Sequence, residues 1–464
     1  MTVGEHAVRI RRSPGPRPAE VLAADALPVS PILLQESEVY LGSEDLPKER
    51  YTSLEFHQLE IEKVWRRVWQ VACREEDLRD VGDHVVYEIG DHSIVVVRSA
   101  ADAVTAFHNS CLHRGTLLRA AGGKVDEFRC PFHGWSWSLD GALKRVPAAW
   151  DFPHVDRAAF RLPECKVGIW AGWVFVNLDA AAPPLDEYLE ALPSHFEPNV
   201  FNQFTFDQRW KSAHVAKVVD ANWKVCMEAF IETYHVSWSH PQFAFSSADQ
   251  SSQYDVWSEQ RHYSRMINLT GFPSPEYRGE VEPQDMVNHM LRSWYEGTDE
   301  KPPQLAEGGT ARHLAAAVIR ARLGERMRVD LSHVSDSELI DSIEYFVFPN
   351  FMPWAGIMLP LAYRFRPFGN DPHRSIMEVM LLSPLPDTGE RPDPVPTHWL
   401  ATDECFGDAP ELGYLGPTLD QDVANCVRVQ RGLRAAVKPG VTLGNYQEVR
   451  TRHYHQTIDE YIQA

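Results

Sequence analysis

Apolar residues recur at helical spacing in the run 52–69. Leu54, Phe56, Leu59, Ile61, Val64, Trp65, Val68 and Trp69 follow Ser53, a residue type that caps helix N-termini. The pattern predicts one amphipathic helix. Between about 80 and 180 the rhythm changes: "DHVVYEI", "HSIVVVRS" and "GWVFVNL" are short β-rich runs separated by Gly and Asp, which predicts a small antiparallel domain. At 178–188, "LDAAAPPLDEY" shifts the composition to Ala and Pro. Beyond it, helical patterns alternate with strand-like runs at 343–350, 356–366 and 375–384, the mark of a larger domain of mixed type. Ahead of the first helix, "SPGPRP" and "LPVSP" read as an irregular, partly disordered arm, because Pro fixes the backbone and withholds an N–H. The chain thus reads as α+β, with an arm at 1–50, a small β domain with its leading helix at 51–182, and a larger domain at 183–464 built on a central antiparallel sheet.

A formal net charge of −20 argues against nucleic-acid binding, which needs clustered Lys and Arg to displace counterions from phosphates. The seven Cys are scattered, unlike the dense even sets of secreted disulfide scaffolds, and "RIRR" near the start is not followed by an apolar run. No stretch of 18 apolar residues occurs. Together these predict a cytoplasmic protein that neither spans a membrane nor binds nucleic acid.

Two spacings point to metals. Cys111-x-His113 and Cys130-x-x-His133 are separated by sixteen residues, and each short loop offers one thiolate and one imidazole. Unligated buried Cys and His, or a structural zinc site, are the plain alternatives, but zinc pairs usually come as Cys-x2-4-Cys. A Rieske-type [2Fe-2S] cluster needs a Cys pair on one iron and a His pair on the other. This pattern supplies one of each from each loop.

"CLHRG" and "CPFHGW" resemble the two cluster loops of Rieske non-haem iron oxygenases, the large (alpha) subunits of ring-hydroxylating systems. The resemblance extends through "VWRRVWQVA", "DGALKRVP", "GWVFVNLD" and the C-terminal "YQEVRTRHYHQTIDEY", covering most of 60–464. Respiratory Rieske proteins carry an additional Cys in each loop, and neither loop here has one. The resemblance implies a helix-grip catalytic domain in the C-terminal part. It also implies a mononuclear Fe(II), dioxygen as co-substrate, and electrons from NAD(P)H through a reductase, with or without a ferredoxin. The expected assembly is a homotrimer, with or without a small beta subunit.

In "DANWKVCMEAFIETYHVSWSHPQ", Trp223, Cys226, Met227, Phe230, Ile231 and Tyr234 form a helical apolar face with Asp220 as a candidate N-cap. Glu228, Glu232 and His235 form a polar stripe, which by itself reads as a solvated face. His235 and His240 would point about 140° apart on an ideal helix, so they converge only if the helix widens or ends between them. Pro241 disfavours the α region at His240. A non-haem iron site of this kind needs a carboxylate to complete the two-His triad. In "GPTLDQDVANCVRVQRGLRAAV", Thr418-x-x-Gln421 reads as a capping box, which puts Asp422 in or near the first helical turn. "QDVANCVRVQRG" resembles the family segment that supplies the carboxylate, and Asp422 aligns with it, with Asp420 as the alternative. By the same resemblance Glu232 stands where most members have an Asp that bridges to a cluster His of the neighbouring subunit. Glu also occurs there in branches acting on quaternary amines.

Large apolar residues gather near the expected pocket strands: Phe243, Phe245, Phe346, Phe348, Phe351, Met352, Trp354, Met358 and Leu361. They read either as ordinary core or as the lining of a ligand cavity. The leading expectation is hydroxylation or cis-dihydroxylation of a bulky aromatic or polycyclic substrate, as in aromatic hydrocarbon catabolism. The alternative is monooxygenation or oxidative demethylation of a quaternary amine, its cation held by ring faces.

Overall fold

The computed structural model describes residues 11–197, 205–357, 359–385 and 392–464. The first sheet runs, edge to edge, Gln70–Arg74, Trp173–Asn177, Glu164–Trp170, Ala103–His108, His92–Ala100, Asp83–Ile89 and Gly123–Lys124, with every neighbouring pair antiparallel. Consecutive Val95, Val96 and Val97 are fully buried, so both faces of their strand are covered. Ile89 pairs with His92 across a two-residue turn in which Gly90 takes a φ of 56°, a value that favours glycine. A three-stranded sheet, Phe128–Arg129, Ser136–Trp137 and Leu143–Arg145, stands beside it and displays the second Cys/His loop between its first two strands.

The second large sheet has the order Gln253–Asp255, Tyr263–Asn268, Ser342–Val347, Phe351–Pro353, Leu361–Phe368, Asp371–Pro384, Arg209–Val219 and His398–Trp399. Only the last pairing is parallel. The helix Trp223–Glu228 packs on its two longest hairpin strands, and the helices Leu415–Ala435 and Val449–Gln463 close the same region. Between Tyr263–Asn268 and Ser342–Val347 the chain detours through four helices, the longest Ala311–Met327, with an apolar core of their own around Val287, Ala315, Ile319 and Leu339. The architecture is α+β, as expected.

Three local expectations need correcting. The arm from residue 11 onward is docked, because its polar backbone finds fixed partners: Arg265 donates to the Ile32 and Gln35 carbonyls at 2.7 and 2.8 Å, and Asp25 pairs with Arg312 at 3.1 Å. The arm's own Leu22 and Leu33 are buried. The leading helix is capped by Ser53, which accepts from Phe56 N at 3.2 Å, but it spans only Leu54–Glu60 plus a π-helical turn, Ile61–Trp65. Val68 and Trp69 then lead into the strand Gln70–Arg74. Asp220 does not cap the next helix; Asn222 does, accepting from Lys224 N at 3.0 Å, while Asp220 lies exposed beside Arg374.

The leading helix is fastened to the helix Trp223–Glu228. Glu60 and Lys224 form a fully buried pair at 2.7 Å, and the rings of Trp65 and Trp223 meet edge to face at 4.8 Å. His57 Nε2 donates to the carbonyl of Gly369 at 3.2 Å. Burial pushes the His57 imidazole down to about 4, against the opposing pull of that carbonyl. Between its ordinary value and about 4, the unfolded chain takes up a proton that the folded one refuses, so this group lowers stability as pH falls through that window. We expect His57→Gln to lose less stability than the parent between pH 6.5 and about 4, by roughly 2 kcal/mol, in denaturant melts across that range. Equal slopes would contradict a neutral buried His57.

Candidate metal centres and substrate cavity

The two Cys/His loops share one backbone design. In the first, Gly115 N donates to Cys111 O and Cys111 N to Thr116 O, both at 2.9 Å; in the second, Gly134 N donates to Cys130 O at 3.1 Å and Cys130 N to Trp135 O at 2.8 Å. Gly115 and Gly134 hold φ of 76° and 75°, so each loop turns on a glycine where a side chain would be strained. Cys111 and Cys130 are buried free thiols, and the His113 and His133 rings lie 4.7 Å apart, His113 stacked on Trp135. His113 Nδ1 is buried without a hydrogen-bond partner. A buried polar atom left unpaired is costly, and a metal would use its lone pair. Two thiols and two imidazoles with an orphaned ring nitrogen fit a Rieske cluster. Among the described residues these four do not close within 4.8 Å around one point, as two other groups do, which disfavours a single zinc.

One of those other groups is His235, His240 and Asp422. The helix carrying "NWKVCME" ends at Glu228, the chain turns irregularly through 229–235, and a single helical turn, Val236–Ser239, separates the two imidazoles. The break brings the rings to 5.5 Å between centroids, and the expected stripe of Glu228, Glu232 and His235 is therefore not one helical face. Asp422 Oδ1 lies 2.8 Å from His240 Nε2 and 3.5 Å from His235 Nε2. Asp422 projects from the helix Leu415–Ala435, which starts earlier than the sequence suggested. Thr418 and Gln421 are inside it and form no capping box. Asp420 serves elsewhere, accepting from Phe406 N and Gly407 N at 2.7 and 2.9 Å.

Each imidazole is oriented by a second hydrogen bond. Glu232 Oε1 accepts from His235 Nδ1 at 2.7 Å, and Gln421 Oε1 accepts from His240 Nδ1 at 2.6 Å, so both rings turn Nε2 toward Asp422. The sequence pointed to Gln421 only as half of a capping box with Thr418; its place beside Asp422 was the signal for this other role. Burial opposes charge on His235, but Glu232 and Asp422 outweigh it and push the imidazole up to about 10. Burial also works against the Asp422 carboxylate, yet the bonds from both His hold it below its ordinary value. Without a metal, the carboxylates hold a proton on an imidazole; the set is built for a cation.

A cavity of about 380 Å³ opens on this cluster. Of the apolar residues expected to line it, Phe243, Trp354 and Leu361 do. Phe346, Phe348, Phe351 and Met352 are core: Phe351, for instance, meets Trp173 at 4.6 Å, joining the two domains. Phe245 packs on Tyr277 and His289 in the helical insertion, and Met358 lies outside the described residues. Phe230, Met266, Tyr363 and Tyr414 line the cavity instead, residues that the strand pattern did not distinguish from core. A separate groove of about 290 Å³ shares Glu232, His235 and Asp422 and is bordered by Glu228 and Glu448. Burial pushes Glu228 up to about 8.

Residues 201–464 match the family described as ring hydroxylating alpha subunit (catalytic domain), and residues 68–156 match the Rieske [2Fe-2S] domain. The first match spans more than half of the chain, and the protein belongs to this family of Rieske non-haem iron oxygenase alpha subunits. Its cofactors are accordingly a Rieske cluster and a mononuclear iron. A chloroplastic choline monooxygenase of Beta vulgaris is 29% identical over 225 residues, 46% of this chain and 48% of that protein. The glycine betaine monooxygenase oxygenase subunit of Chromohalobacter salexigens is 32% identical over 203 residues, 43% of this chain and 44% of that one. The chain thus spans about half the length of these relatives. Among solved structures, a quaternary ammonium Rieske monooxygenase aligns with a TM-score of 0.63 at 19% identity, over 90% of this chain and 95% of that one. A naphthalene 1,2-dioxygenase variant bound to phenanthrene gives 0.61 at 17%, over 92% and 94%. Those likenesses concern the fold. No helix among the described residues is long and apolar enough to cross a membrane.

Proposed function

We propose that the chain is a terminal oxygenase that hydroxylates or oxidatively demethylates a quaternary ammonium compound, with Cys111 and Cys130 on one iron of the cluster and His113 and His133 on the other. His235, His240 and Asp422 hold the mononuclear iron. The observation that carries this reading is the triad itself, its ligating atoms within 4.8 Å of one another and open to a cavity of about 380 Å³. The aromatic or polycyclic substrate expected first from the sequence gives way to the quaternary amine. Choline and glycine betaine monooxygenases are among the relatives, and Phe230, Phe243, Trp354, Tyr363 and Tyr414 offer ring faces that suit a cation as well as a hydrocarbon.

When bound, the two metals supply one-electron transfer and dioxygen activation. Overall, a substrate methyl or methylene takes one oxygen atom while two electrons and two protons carry the other to water. The electrons come from NAD(P)H through a reductase, with or without a ferredoxin. The protein supplies placement: Gln421 and Glu232 fix the two imidazoles, and the rings hold the substrate beside the triad.

Glu232 also faces the groove bordered by Glu228 and Glu448, on a path suited to a cluster loop of a neighbouring copy. Apolar Phe132, Leu117 and Trp150, 57%, 49% and 83% exposed, lie in or near the cluster loops and suit such an interface. A homotrimer, with or without a small beta subunit, is the assembly this requires, with 51–182 as the electron-supplying unit, 183–464 as the catalytic one, and the cytoplasm as its compartment.

The test is turnover by the metal-loaded protein with a reductase and NADH, screened against choline, betaines, aromatic acids and polycyclic aromatics. Oxygen uptake dependent on an ammonium compound and matched by its hydroxylated or demethylated product is expected. Uptake matched only by an oxidised arene would contradict the proposal.

A further inference from the structure

Resting on the ammonium reading, the geometry points to a narrower substrate class: a quaternary ammonium compound that carries no carboxylate, such as an amino alcohol or an alkyl trimethylammonium. Charged side chains lining the cavity, among the described residues, are Glu232, Asp422, the two imidazoles of the triad and His289; neither Lys nor Arg takes part. Burial, aided by Arg292, keeps His289 on the neutral side of its ordinary value.

Two buried arginines beside lining residues are already committed. Arg312 donates to Asp341 at 2.6 and 2.7 Å and to the carbonyl of Thr270, a lining residue. Arg265, next to the lining residue Met266, is paired with Asp255 at 2.7 Å and fully buried. Drawing either guanidinium toward a ligand would leave a buried aspartate unpaired, which costs more than the new bond returns.

A carboxylate entering this cavity is therefore desolvated without a Lys or Arg partner among the described lining residues. The remaining cation is the metal itself, and meeting it would turn the acid rather than a methyl group toward the reacting centre. An ammonium head meets the opposite environment. The rings of Phe230, Tyr363 and Trp354 line the cavity and suit such a head, and neutral groups such as Asn268, Ser246 and Ser247 remain for a hydroxyl. Asn268 and Ser247 are themselves joined at 2.9 Å, so such a hydroxyl would enter an existing polar network.

Choline and glycine betaine share the trimethylammonium head and differ in whether the far end is a hydroxymethyl or a carboxylate. Anaerobic calorimetric titration of the metal-loaded full chain should show choline binding at least about tenfold more tightly than glycine betaine. Ser293→Arg, at an exposed position lining the cavity, should tighten glycine betaine by about tenfold while leaving the fold intact. Equal or tighter binding of glycine betaine by the parent protein would overturn the exclusion of carboxylates and leave the ammonium reading standing. An unchanged glycine betaine affinity in Ser293→Arg would also overturn it, by showing that shape rather than charge decides. Binding of naphthalene or benzoate with neither ammonium compound bound would overturn both readings together.

Discussion

Asp422→Ala abolishes turnover, by at least about 100-fold, and loses the mononuclear iron while the electron paramagnetic resonance signal of the Rieske cluster stays as in the parent. The separation follows from where the groups sit. Asp422 reaches the two imidazoles from the helix Leu415–Ala435, whereas the four proposed cluster residues stand on loops of the seven-stranded sheet and of the three-stranded sheet beside it. Removing the carboxylate leaves a two-imidazole set too weak to retain Fe(II), with nothing disturbed around Cys111 or Cys130. Asp420→Ala is the matched control. Its carboxylate accepts from Phe406 N and Gly407 N, so its loss costs about 1 kcal/mol of stability and no iron. Iron content by mass spectrometry beside the resonance spectrum checks both variants; normal product formation by Asp422→Ala would contradict the triad.

Glu232→Gln keeps both metals and slows electron delivery to the iron by roughly 10- to 100-fold. The amide oxygen of Gln can still accept from His235 Nδ1, so ring orientation survives. The charge does not, and with it goes the carboxylate that both polarises His235 and faces the groove open to a neighbouring copy. The informative measurement is the single-turnover rate after chemical reduction of the cluster, because it bypasses the reductase. A rate equal to that of the parent would assign electron transfer to another route.

The two Cys/His loops were legible in the sequence because their geometry is local: a few residues each place one thiol and one imidazole, and the glycines that turn them lie in the same short strings. The other site was legible only in part. His235, His240 and Asp422 could be named, but helical periodicity carried the helix through Glu228 to His235, where the chain in fact unwinds. The convergence of the imidazoles depends on that break. Propensity also misplaced two caps, since Asn222 competed with Asp220 and the helix holding Asp422 begins at Leu415, ahead of the Thr418 box.

The cavity lining was least legible. Phe346, Phe351 and Met352 belong to strands that are covered on both faces, and alternation cannot tell which face of such a strand meets a cavity and which meets another domain, while Phe348 is buried in the turn between them. Phe230 and Tyr414 lie just outside helix ends, where no period applies. The docking of the arm rests on Arg265 and Arg312, more than 200 residues away in sequence, a pairing that no local pattern carries.

The central claim is that one chain carries two distinct iron centres, a cluster on Cys111, His113, Cys130 and His133 and a single iron on His235, His240 and Asp422. Iron and acid-labile sulfide measured on anaerobically purified protein, together with its absorption and resonance spectra, test it most directly. The account predicts about three irons and two sulfides per chain, a coloured protein, and a Rieske signal on reduction. A colourless protein containing stoichiometric zinc and no labile sulfide would contradict it.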